Sequence, residues 1–167
     1  MSQVTNETIF IDRETIISET DHTSLRLWLR MLASTTLIEN CVRKRLRIDF
    51  DITLPRFDLM AQLARHPEGL RMGEISQRMM VSGGNITGIT DQLEKEGLVE
   101  RVTLPDDRRV WKVRLTVKGN ETFQEMAAEH ENWIADWMSG LTGEEQHTLY
   151  ILLGKVKRSV QERHTGE

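Results

Sequence analysis

Residues 71–118 read RMGEISQRMMVSGGNITGITDQLEKEGLVERVTLPDDRRVWKVRLTVK, and this stretch decides the fold. Ile75 and Met79 stand four residues apart, as expected on one face of a short helix. Ser82 is the expected N-cap of a second helix, which Gly97 ends. Leu98 and Val99 then open a strand that leads to a Pro-Asp-Asp turn, and apolar and charged residues alternate after the turn, which predicts a β-hairpin.

The second predicted helix has two unlike sides. Ile86, Ile89 and Leu93 share an apolar face at about 100° per residue. The opposite side and its flanks are small or polar and form the candidate contact surface: Ser82, Gly83, Gly84, Asn85, Thr87, Gly88, Thr90 and Asp91. Small residues let a backbone approach another surface closely, and the N–H groups that begin a helix can bind phosphate. Asparagine and threonine can also contact base edges, although a Gly-Gly-Asn sequence could be only a tight turn.

The predicted hairpin is charged at its tip and along one face. Its candidate contact residues are Asp107, Arg108, Arg109 and Lys112. Two short helices followed by such a hairpin are typical of a winged helix-turn-helix, which places one helix in the major groove of DNA. An arginine at the tip can enter a narrow minor groove, with Asp107 holding its side chain extended. The alternative is a surface Asp–Arg pair worth about 0–1 kcal/mol.

The charge distribution agrees with contact to phosphate. The chain of 167 residues has a net charge of −4, yet residues 26–118 carry +5 and the two ends carry −9. An electropositive centre between acidic ends suits local phosphate binding. Chance clustering would give the same numbers. The length fits one ordinary domain, or a small domain with an attached helical part. Apolar residues make up 38% and charged residues 29% of the chain, so it can build a core beneath a strongly solvated surface.

Several classes of protein are disfavoured by the sequence. No apolar run approaches the roughly 20 residues that span a bilayer, and no secretory leader is visible. The single cysteine, Cys41, cannot form an intrachain disulfide, so we expect a cytoplasmic protein. The motifs of dinucleotide-binding, P-loop and serine-hydrolase enzymes are missing, and the histidines lack metal-ligand spacing. We therefore expect no enzymatic activity, no cofactor and no metal.

Further helices are predicted on both sides of this region. One runs from Thr23 or Ser24 to about Arg47, and a second begins at Thr53. Thr116 can cap a long helix, and a capping box precedes the last helix. The apolar stripes of the terminal helices exceed what a small winged domain can cover. A twofold dimer follows as a hypothesis, with an intramolecular bundle as the alternative.

The predicted fold class is α+β, mostly α, with a winged helix-turn-helix between N- and C-terminal dimerisation helices. Residues 1–50 form an N-terminal arm and dimerisation helix, 51–117 form the DNA-binding domain, and 118–167 form the C-terminal dimerisation helices. We expect them to interlock as one structural unit. The arm is expected either to complete the dimer or to stay mobile.

The stretch from about Leu25 to Gly119 resembles the MarR (multiple antibiotic resistance regulator) family of dimeric winged-helix transcription factors. The matching pieces are SGGNIT at 82–87, LEKEGLV at 93–99, and DRR at 107–109 followed by VRLT and Gly119. The resemblance implies a dimer that reads a pseudo-palindromic operator. It also implies that Arg109 is a minor-groove arginine, that Asp107 orients it, and that the exposed residues of 82–91 read bases.

Members of this family are commonly repressors that a small anionic or phenolic ligand releases from DNA. Residues able to reach the usual pocket are Arg26, Trp28, Arg30, Met31, Arg56, Phe57, Met60 and Trp133. They could equally be ordinary helix residues. The sequence around 82–90 most resembles branches that regulate aromatic-acid catabolism, so the expected effector is an aromatic acid or its acyl-coenzyme A thioester.

Two other functions remain as alternatives. Thiol-sensing family members place a reactive cysteine near the start of the first long helix, supported by tyrosines. Here Cys41 lies near the end of that helix and Tyr150 is the only tyrosine, which favours a buried, inert thiol over redox sensing. The second alternative is a winged helix that binds proteins and not DNA. Such a module would not need arginines at the wing tip or a small-residue helix face.

Overall fold

The computed structural model describes residues 23–79, 83–103 and 111–164. It confirms an α+β chain that is mostly α, whose elements are α1 Thr23–Phe50, α2 Leu54–Ala64, α3 Met72–Met79, α4 Gly83–Lys95, β1 Val99–Thr103, β2 Trp111–Leu115, α5 Val117–Met138 and α6 Gly143–His164. The chain divides into two compact units, Met1–Asp58 and Leu59–Glu167. No helix among the described residues is long and apolar enough to cross a membrane.

Helix α1 ends three residues later than the sequence predicted. It continues to Phe50 and stops where Asp51 adopts a positive φ of 48°. Aspartate tolerates this left-handed conformation better than most residues do. Val42 and Leu46 are the buried residues of the helix, whereas apolar residues of its first half, including Trp28, are exposed.

Helices α3 and α4 pack against each other and bury the predicted apolar face. Ile75 of α3 and Ile86 and Leu93 of α4 have no exposed surface. Helix α4 ends as predicted at Gly97, whose φ of 71° is readily available to glycine. The N–H of Gly97 donates to the carbonyl of Glu94, and the N–H of Leu98 donates to that of Leu93, each at 2.9 Å. This Schellman motif turns the chain directly into β1.

The two strands form the predicted antiparallel hairpin. Arg101 of β1 lies opposite Val113 of β2, and Thr103 lies opposite Trp111. Leu70 forms an isolated antiparallel bridge to β2, because its N–H and C=O pair with those of Val113 at 2.9 and 2.8 Å. The hairpin is therefore anchored through its second strand to the segment between α2 and α3.

A tight junction joins the hairpin to α5. The hydroxyl of Thr116 accepts a hydrogen bond from the N–H of Gly119 at 2.9 Å and donates to the carbonyl of Gly97 at 2.7 Å. A Cβ at Gly119 would lie only 1.8 Å from the carbonyl oxygen of Leu98. The Leu-Thr-x-x-Gly sequence thus has a packing reason: threonine caps α5 while glycine lets that helix approach the end of α4.

The last helix begins with the predicted capping box. The N–H of Thr142 donates to the Glu145 carboxylate at 2.8 Å, and the N–H of Glu145 donates to the Thr142 hydroxyl at 3.3 Å. Helix α5 buries Met126 and Trp133. In α6, by contrast, large apolar side chains are exposed along the helix: Leu149, Tyr150, Ile151, Leu152, Leu153, Val156 and Val160.

Candidate nucleic-acid interface

The small-residue side of α4 is open to solvent. The exposed residues that the sequence predicted on this side are Gly83, Gly84, Asn85, Thr87 and Gly88. A Cβ added at any of the three glycines would meet nothing within 4 Å. The Thr87 hydroxyl donates to the Gly83 carbonyl at 3.1 Å, while its side chain stays on the exposed side. We call these five residues the α4 contact face, a surface to which another backbone can come close.

Thr90 does not belong to this surface. Its side chain has no exposed area, and its hydroxyl donates to the carbonyl of Ile86 at 2.8 Å. A β-branched threonine can satisfy its own hydroxyl against the preceding turn of the helix, so it can be buried without a polar partner elsewhere. The prediction that Thr90 contacts DNA is wrong for this structure.

Asp91 is half-exposed and already has a partner. Its carboxylate and that of Glu94 both bind the guanidinium of Arg101, one carboxylate at each terminal nitrogen. The Arg101 guanidinium also lies over the ring of Trp111, 4.9 Å from the ring centroid. The sequence analysis did not find this cluster. The i, i+3 spacing of Asp91 and Glu94 was the available signal, because it places both acids on one side of the helix.

The residues predicted to contact DNA from the wing tip lie outside the described residues, as does Ser82. Asp107, Arg108 and Arg109 fall in the gap between Thr103 and Trp111. Lys112 is described, and it is half-buried on β2. Its charge helps to lower the pKa of Glu68, after the larger effects of the Glu68 backbone N–H and the neighbouring His66. The assignment of a wing contact therefore stays a prediction.

The residues of the predicted ligand pocket differ widely in exposure. Arg26, Trp28 and Arg30 are exposed on α1, while Met31 and Arg56 are half-buried. The remaining three are buried: Phe57, Met60 and Trp133. Six of the eight belong to the first compact unit, and Met60 and Trp133 belong to the second. The pocket, too, stays a prediction.

The sequence favoured a buried thiol at Cys41, but the residue is only half-buried on α1. Neither His66 nor any other histidine of the described ranges joins a group of three residues that could hold a metal ion.

Comparison with known proteins identifies the family. A family model described as MarR family matches residues 52–111. The chain is 34% identical over 110 residues to the HTH-type transcriptional repressor MdtR of Bacillus subtilis, which covers 66% of this chain and 70% of that protein. The chain belongs to the MarR family.

Other relatives agree with this assignment in sequence and in fold. The HTH-type transcriptional regulator YkoM of Bacillus subtilis is 37% identical over 91 residues, covering 54% of this chain and 58% of YkoM. The alignments with the first curated relatives span about half to two thirds of those proteins. The crystal structure of a MarR family transcriptional regulator from Silicibacter pomeroyi gives a TM-score of 0.71 at 28% identity, covering 86% of this chain and 99% of that one. The predicted winged-helix fold is thus confirmed.

Proposed function

We propose that this protein is a DNA-binding transcriptional regulator that acts as a twofold dimer. The observation that carries the proposal is the α4 contact face. Its glycines leave the helix backbone accessible, and Asn85 offers a donor and an acceptor for base edges. The opposite side of α4 is buried in the protein core, which holds the helix in place. The α4 contact face remains exposed and can enter a major groove.

The dimer proposal is supported by the terminal helices. Large apolar side chains are exposed along α6, and others, among them Leu25 and Trp28, are exposed on α1. Contiguous exposed apolar residues mark sites of protein–protein interaction. In a twofold interface the same surface of each copy covers the other. Two copies of α4 would then address two half-sites about one helical turn of DNA apart.

Repression relieved by a small effector is the finer part of the proposal. The relative MdtR is a repressor by name, which supports repression here. Arg26, Arg30 and Trp28 are exposed on α1 and could offer cations and an aromatic surface to an anionic or aromatic molecule. An aromatic acid or its coenzyme A thioester is the ligand class to test first. A matching ligand that leaves operator affinity unchanged would refute that class.

Selection of genomic fragments with the purified protein tests the proposed function. Recovered DNA would be footprinted, and we expect a protected pseudo-palindrome with half-sites about one helical turn apart. Binding should also be steeply salt dependent, because six to ten phosphate contacts cost roughly 10³–10⁵ in affinity between 50 and 200 mM salt. A folded dimer that enriches no sequence at low salt would contradict the proposal.

The wing assignment has its own test. Arg109→Ala should weaken operator binding on the order of 1–3 kcal/mol and reduce the salt slope, because a cation would leave the minor groove. Unchanged affinity in a folded variant would remove Arg109 from the interface while leaving the α4 contact face in place.

A further inference from the structure

Arg101 links three elements of the winged domain through one side chain. It is anchored in the middle of β1, binds two carboxylates of α4 and lies against an aromatic ring of β2. Its side chain is 27% exposed, and those of Asp91 and Glu94 are 47% and 37% exposed. Partly buried pairs of this kind are less screened by salt than pairs on an open surface.

The geometry of the cluster suits a guanidinium. Asp91 and Glu94 stand about one helical turn apart and present their carboxylates side by side. The two terminal nitrogens of Arg101 bind one carboxylate each, while the flat guanidinium covers the Trp111 ring. A lysine ammonium is a single point charge on a flexible chain. It could neutralise one carboxylate but could not bridge both acids and stack on the ring at once.

The cluster lies where the two proposed DNA-contacting elements meet. On α4, Asp91 lies less than one helical turn after Gly88, the last residue of the α4 contact face. Arg101 is two residues from Thr103, which pairs with Trp111 as the last described pair of the hairpin. Contacts at this position therefore join α4 directly to both strands of the hairpin.

We propose that Arg101 is a positioning residue that fixes the angle between α4 and the wing, so that both elements contact one DNA molecule in a single register. The inference rests on the DNA-binding function proposed above. Arg101 acts through Asp91, Glu94 and Trp111 and does not itself have to reach the DNA. Without this clamp, α4 still folds and still presents its contact face, but the wing no longer meets the minor groove at a fixed distance from it.

The hairpin offers a matched control for this proposal. Arg114 lies on the other face of the same hairpin and binds Glu100 at 2.7 Å, with both side chains nearly half-exposed. Arg114→Gln removes the same charge from the same hairpin as Arg101→Gln does. Any effect of net charge on DNA binding therefore appears in both variants, whereas a loss of positioning appears only in the variants of Arg101.

The experiment compares wild type, Arg101→Gln, Arg101→Lys and Arg114→Gln for selectivity between the operator fragment and a shuffled fragment of equal composition. We expect both Arg101 variants to lose about tenfold or more of the selectivity ratio, and Arg114→Gln to stay within about threefold of wild type. The ratio is insensitive to a fraction of misfolded protein. Hydroxyl-radical footprints should lose minor-groove protection in the Arg101 variants while protection by α4 persists.

Each outcome decides between the two proposals. A selective wild type whose selectivity survives Arg101→Gln, is restored by lysine, or falls equally with Arg114→Gln would overturn the positioning role and leave DNA binding intact. A wild type that does not distinguish the two fragments would refute the proposed function, and the positioning role with it.

Discussion

Gly119 and Gly143 differ in how much space surrounds them, so replacement by alanine should affect stability differently at the two positions. Gly119 lies against the backbone of Leu98, so a Cβ there would require α5 or the end of α4 to move. We expect Gly119→Ala to lower the free energy of unfolding by roughly 1–3 kcal/mol, as overpacking usually does. Denaturant unfolding at one fixed protein concentration measures the change. Gly143→Ala, at an open position of α6, is the control and should be neutral or slightly stabilising. Equal stability of both variants would contradict the close approach.

Gly88 shows the opposite relation between stability and binding. It is exposed in the interior of α4, where a Cβ meets nothing within 4 Å. Alanine should therefore stabilise the helix by roughly 0.5–1 kcal/mol. The same methyl group would hold the α4 contact face away from the groove, so operator affinity should fall on the order of tenfold, or about 1.4 kcal/mol. Unfolding and DNA titration of the same preparation test the expected gain in stability and the expected loss of affinity. A stabilised variant with unchanged affinity would mean that DNA does not approach this face closely.

Residue-level predictions from the sequence succeeded where helical periodicity alone decides exposure. The glycines and Asn85 are exposed because they lie opposite Ile86 and Leu93. Thr90 lies at the boundary between the two sides, where side-chain hydrogen bonding and packing decide burial. Arg101 could not be placed from the sequence, because its partners are 7 and 10 residues away and meet it only after the hairpin has folded onto α4.

At the scale of elements, the capping box of α6 makes a prediction about pH. The backbone N–H of Thr142, and then its side chain, hold the pKa of the exposed Glu145 carboxylate below its ordinary value of 4.5. A carboxylate with a lowered folded-state pKa stabilises the fold above its unfolded-state pKa, and that stabilisation is lost as the pH falls through the folded-state value. The stability difference between wild type and Glu145→Gln should therefore shrink as the pH falls below about 4.5.

Chemical unfolding at a series of pH values measures that difference. Glu144→Gln is the matched control, since it removes the same charge from the same helical turn. A pH-independent gap between wild type and Glu145→Gln would contradict the role of the cap.

Helices and turns were predictable because their start and stop signals are local. Gly97, Thr116 and the Thr142–Glu145 pair each act within a few residues, and each lies where its sequence pattern predicted. The end of α1 was placed too early, at about Arg47, because basic residues such as those at 43–45 and 47 are favourable near a helix end but do not stop the helix. The helix ends at Phe50, and the next residue, Asp51, has a positive φ of 48°.

At the scale of the whole molecule, the exposed apolar residues of α6 indicate a surface that another protein surface could cover. Leu149, Leu153, Val156 and Val160 fall within a narrow arc of the helix at about 100° per residue. Each is at least 40% exposed. A surface stripe of this kind is costly in water, at roughly 25 cal/mol for each Å² of apolar area. In the proposed twofold dimer, a second copy of the chain would cover it with the same stripe.

Val156→Glu places a charge in the middle of that stripe, and we expect the dimer to dissociate because burying an unpaired carboxylate is strongly unfavourable. Sedimentation at micromolar concentration measures the mass. His147→Glu, on the opposite side of α6, is the control and should remain dimeric.

Because a dimer would hold two copies of α4 on one operator, the monomeric variant should lose affinity for the full site while binding an isolated half-site about as well as one wild-type protomer does. A dimer that survives Val156→Glu would move the interface elsewhere, and full operator affinity in a proven monomer would show that one α4 and one wing suffice.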